Sequence, residues 1–90
     1  MPENALTVEY FYEEYHRFRK EMCSRSNTIE QKLKMFQGLA YVYFNVKRQN
    51  PLAEERLQIA MSALQIELEM RMGYEAMEEI SNILHRQTEN

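Results

Sequence analysis

Aspartate and tryptophan are absent from this 90-residue chain, and cysteine, glycine and proline are scarce. Cys23 stands alone, with Gly38, Gly73, Pro2 and Pro51. Each shortage excludes something. One thiol cannot build an internal disulfide framework or a zinc site that needs two thiolates. Its simplest setting is a reducing, cytoplasmic compartment, where Cys23 is expected to pack half-buried beside Met22. Without aspartate there is no EF-hand loop, and two glycines cannot supply a P-loop or a dinucleotide fingerprint. A sheet protein of this length needs several turns built from Gly, Asn or Asp. The longest apolar run is six residues, Leu39 to Phe44. A membrane-spanning helix needs about 20, so no membrane span is expected. The opening MPENALTVEYFYEE has neither a basic start nor an apolar centre, so no signal peptide is expected.

What is present favours helices. All fourteen acidic residues are glutamate, which tolerates helix interiors better than aspartate does. Apolar residues make up 44% of the chain, too many for a disordered segment, and the length allows a single domain. The expected fold is therefore all-α: a small antiparallel helical bundle of three helices, or four if the last breaks at Gly73.

The first helix is expected over about 7–24. Val8, Phe11, Tyr15, Phe18 and Met22 recur at steps of 3 and 4, which puts them on one face. Glu13 with Arg17 and Glu21 with Arg25 are i,i+4 pairs in the favoured orientation. After a polar connector, Thr28-Ile29-Glu30-Gln31 fits a capping box and opens a second helix over 29–47. Asn50-Pro51 marks the next boundary, because proline restricts the residue before it but suits a first helical position. The third helix is expected over 51–86, with a frayed tail at 87–90. Ile59, Ala63, Ile66, Met70, Gly73, Met77, Ile80 and Leu84 follow an unbroken 4-3-4-3 spacing, which favours one helix running through Gly73. Such a helix would reach about 50 Å at 1.5 Å per residue.

One local pattern, Phe36-x-x-Leu39-Ala40-x-x-Tyr43 followed by Ala53-x-x-x-Leu57-x-x-Ala60, resembles the helix pair of a tetratricopeptide motif. Its halves stand one residue too far apart and only one copy is present, so it reads as the packing chemistry of a helical hairpin.

From Leu39 to Val46 the second helix is apolar in nearly every direction, and the third carries Leu57, Ala60, Met61, Leu64, Leu68 and Met72 beside its long row. Two shorter helices cannot cover both within one small chain. The expectation is a cytoplasmic homodimer and a protein-interaction module: a regulator, adaptor, inhibitor or chaperone working through apolar helix faces. The expected partner-binding residues are Tyr41, Val42, Phe44, Met70, Met77 and Leu84.

Charge offers an alternative. Residues 1–50 carry net +2 and residues 51–90 net −5. Arg17, Arg19, Lys20, Arg25, Lys32 and Lys34 gather around the first interhelical turn and could meet nucleic acid or an acidic surface. Catalysis has little support. Glu13-x-x-His16 matches half of a di-iron helical motif, but a full site needs a second pair and two further glutamates. No enzyme activity, metal or cofactor is expected.

Overall fold

A computed structural model describes residues 7–24 and 26–89. Four α-helices follow one another: α1 (Val8–Met22), α2 (Ile29–Gln49), α3 (Glu54–Met72) and α4 (Tyr74–Glu89). A 3-10 turn, Pro51–Ala53, precedes α3. All regular structure among the described residues is helical.

The helix starts follow local chemistry. Thr7 accepts a hydrogen bond from the Tyr10 backbone N–H at 3.1 Å and opens α1. At α2 the expected capping box forms in full. The Gln31 N–H donates to the Thr28 hydroxyl oxygen at 3.1 Å, and the Thr28 N–H donates to Gln31 Oε1 at 2.8 Å. Two N–H groups that the helix leaves unpaired are thereby satisfied. Pro51 sits at the first position of the 3-10 turn, where its missing N–H costs nothing. Two ends run past their expected limits: α2 continues to Gln49 and α4 to Glu89. The tail expected to fray is therefore helical through Glu89, and Asn90 lies outside the described residues.

The largest departure from expectation is at Gly73. The helix expected over 51–86 breaks there, into α3 and α4. Gly73 has φ +92° and ψ −176°, a conformation that side-chain-bearing residues rarely adopt. Its N–H still donates to the Glu69 carbonyl at 3.0 Å, closing the last turn of α3. The chain then turns back, and α4 packs on both α2 and α3. The longest dimension of the fold is 33 Å, too short for the 50 Å helix that the unbroken spacing implied.

This return explains how the apolar second helix is covered. α2 is in contact with α1, α3 and α4, three neighbours instead of the two counted from sequence. The core takes Phe11, Tyr15, Phe18 and Met22 from α1, and Phe36, Leu39, Ala40, Tyr43 and Val46 from α2. Leu57, Met61, Leu64 and Leu68 of α3 and Ala76, Ile80 and Ile83 of α4 complete it. The hairpin pattern is packing chemistry as expected: Phe36, Leu39, Ala40, Tyr43, Ala53 and Leu57 are buried, and Ala60 is half-buried against the core.

Candidate functional site

Helix α3 is apolar on two sides. Its buried row is Leu57, Met61, Leu64 and Leu68; a second row, Ile59, Ala63, Ile66 and Met70, faces away from the core. The two rows have closely similar spacing, in steps of 3 and 4. At about 100° per residue their centres lie roughly opposite each other on the helix. Ile59 is 63% exposed, Ile66 58% and Met70 81%. Leu52, in the 3-10 turn before α3, and Tyr74, the first residue of α4, are also exposed. Along the rim lie Glu55, Ser62 and Glu69 on one side and Ala60 and Glu67 on the other. Glu67 is held by Arg19 of α1 at 3.2 Å and by Arg71 at 3.3 Å, and Glu69 accepts from Gln65 at 3.1 Å.

The long row read from Ile59 to Leu84 is thus divided by the Gly73 break. Its α3 half is exposed, whereas in α4 Ile80 is fully buried and Leu84 packs half-buried against the core. The buried face of α3 is the opposite row, which begins at Leu57.

The six residues expected to bind a partner fall into two groups. Tyr41, Met70 and Met77 are exposed. Val42, Phe44 and Leu84 are half-buried and pack on the core edge. Phe44 meets Tyr43 edge to face, ring centres 4.7 Å apart, and the Lys47 ammonium lies 4.9 Å from its ring centre. The break leaves Met70 in α3 and puts Met77 and Leu84 in α4. Ile59 and Ile66 belong with Met70 on the surface; their spacing was visible in the sequence, but it read as the spine of a long helix.

The basic residues are partly matched within the fold. Arg17 pairs with Glu14 at 3.2 Å, and Arg19 reaches across to Glu67 and over the Tyr15 ring. Lys20 and Lys34 are exposed and Lys32 is half-buried; Arg25 lies outside the described residues. Glu21, expected to pair with Arg25, accepts a hydrogen bond from the Asn27 amide at 2.8 Å. Cys23 is exposed at the end of α1, not half-buried.

Titratable chemistry is sparse. Burial, reinforced by the negative charge of Glu54, holds the Tyr43 phenol above its usual 10.0. His16 is exposed beside the rings of Tyr12 and Tyr15. Among the described residues no three His, Cys or Glu side chains gather as a metal would require. An open groove of 610 Å³ between α2 and α4 is lined by Ile29, Leu33, Lys34, Gln37, Glu79 and Ile83, among others. Another of 420 Å³ lies between α1 and α2 over Gly38. Among the described residues no helix is long and apolar enough to cross a membrane. Comparison of the chain with protein-family models, curated proteins and solved structures gives no match.

Proposed function

We propose that the protein is a small interaction module that binds another protein through apolar helix faces, the outer face of α3 foremost. The observation that supports this is the row Ile59, Ala63, Ile66 and Met70, set opposite a buried row of similar spacing. Exposed single apolar residues are ordinary, but a contiguous apolar strip on a small soluble domain is the usual mark of an interface. The row does not serve the fold, since Leu57, Met61, Leu64 and Leu68 already anchor α3. A helix face with anchors at i, i+4, i+7 and i+11 suits pairing with a second amphipathic helix. Of the residues expected from sequence, Met70 belongs to this face, while Tyr41 and Met77 offer smaller exposed surfaces on α2 and α4. A regulator, adaptor, inhibitor or chaperone would work in this way, with no bond chemistry of its own, and a cytoplasmic homodimer would place a second copy on the same face.

The test compares immobilised wild-type protein with an Ile66→Glu variant as baits in extracts of the source cell. Ile66 is more than half exposed, so the variant should keep the wild-type helical circular dichroism. A protein retained by the wild type and lost from the variant supports the reading. Equal retention by both, or retention by neither together with no self-association, contradicts it.

A further inference from the structure

We infer that the end of the bundle where α1 leads into α2 is a binding site for a phosphate monoester carried on a small apolar group. A cavity of about 440 Å³ lies there, between the end of α1, the start of α2 and the end of α3. That volume is within the usual range of small-molecule pockets. Its polar lining is Ser24, Asn27, Lys32 and Arg71, together with the Cys23 thiol, and none of the described carboxylates lines it. Met22, Ile29 and Met72 supply an apolar wall beside these groups. An ester with a charged head and an apolar body matches such a division.

The charges around this cavity do not cancel. Lys32 is half-buried, and its ammonium takes part in no ion pair or hydrogen bond among the described residues. Arg71 is paired with Glu67, but the same carboxylate also holds Arg19, so these three groups together keep one positive charge. Glu21 accepts from the Asn27 amide and lines the neighbouring groove over Gly38 instead. The hydroxyls of Ser24 and Ser26 share one hydrogen bond at 2.7 Å, which leaves one of their two O–H groups to donate elsewhere. The start of α2 brings a positive helix end and the end of α3 a negative one, so the side chains set the sign. With Lys32 the excess is two positive charges. A phosphate monoester is close to a dianion at neutral pH and matches it, whereas a carboxylate or a phosphodiester carries one charge only.

Titration of the isotope-labelled full chain with phenyl phosphate at low salt, followed by amide NMR, tests this. Saturable shifts should centre on Ser24, Asn27, Lys32 and Arg71. Lys32→Gln should weaken binding at least about 10-fold with unchanged helical circular dichroism, because a charge-assisted hydrogen bond is lost. Benzoate and dimethyl phosphate, each with a single charge, should bind more weakly than phenyl phosphate. Cys23 reports from within the cavity. In the wild type a dianionic aromatic disulfide (dithiobis-nitrobenzoate) should modify it faster, relative to neutral dithiodipyridine, than in Lys32→Gln, by about 3-fold. Taking the ratio of the two reagents removes any change in the thiol itself. Shifts that do not saturate or lie elsewhere overturn the inference. So do a Lys32→Gln protein that binds as tightly as the wild type, a singly charged probe that equals phenyl phosphate, or a reagent ratio that the substitution leaves unchanged.

Discussion

The two faces of α3 carry similar residues at similar spacing and meet opposite fates. Leu57, Met61, Leu64 and Leu68 are buried to 5% exposure or less, while Ile59, Ile66 and Met70 stand more than half exposed. Apolarity and period therefore do not select the buried face. What selects it is the turn at Gly73, which sends α4 back across α2 and α3 instead of onward. A core closed by α1, α2 and α4 has room for one side of α3. The other side is surplus to the fold, and that surplus is the basis for assigning it to a partner.

The contrast between the faces is most open to attack on the buried side. Leu68→Ala should lower stability by about 2–5 kcal/mol, through lost burial and the cavity left behind. Ile66→Ala should change it by no more than about 0.5 kcal/mol at sub-micromolar protein, where self-association adds nothing. Urea unfolding of the two variants side by side checks both; similar losses would mean that the faces are not distinct.

The turn that creates the difference is the next target. Gly73→Ala forces a side chain into a conformation reserved for glycine, at a cost of about 1–3 kcal/mol. If the strain is relieved by straightening into one helix, α4 leaves α2 and the radius of gyration rises above 12.8 Å. Thermal unfolding and small-angle scattering separate these outcomes, and an unchanged melting temperature would contradict the role given to Gly73.

Gly38 offers the opposite case to Gly73. It sits inside α2, exposed, and a methyl group added there would meet no atom within 4 Å. Gly38→Ala should therefore stabilise the fold by up to about 1 kcal/mol, from helix propensity alone. A loss of stability on thermal unfolding would show a crowding that the open groove does not contain.

The smallest effect concerns pH. The Tyr43 phenol is held above 10.0 in the fold, so its contribution is complete below the unfolded value of 10.0. As pH rises beyond that value the unfolded chain releases the proton first, and stability falls until the folded group also ionises. Tyr43→Phe should flatten this part of the alkaline decline, as read by urea midpoints between about pH 9 and 11. An equally steep decline in both proteins would remove Tyr43 as its source.

Much of the fold was legible because local chemistry determines it. The face Phe11, Tyr15, Phe18 and Met22, the capping box at Thr28 and the stop before Pro51 all depend on residues close together in the chain. The break at Gly73 was not legible in the same way. The 4-3-4-3 spacing runs unchanged through the glycine, and only the contacts of α4 with α2 and α3 decide against continuity. The missed break also misplaced the surface: the row from Ile59 was seen, but Ile80 and Leu84 were joined to it although they pack on the core. Tyr41 and Met70 were expected at the surface and are there. Phe44, expected beside them, packs half-buried against the core.

The two-faced helix is measured most simply by thiol labelling in a Cys23→Ser background, at sub-micromolar protein, with Ile66→Cys and Leu64→Cys compared. The Ile66→Cys thiol should react within about 10-fold of the unfolded rate, while the Leu64→Cys thiol should be protected by about 1,000-fold or more, because it reacts only after the core opens. Equal protection at the two positions, or fast reaction at both, would contradict a helix with one buried and one free apolar face.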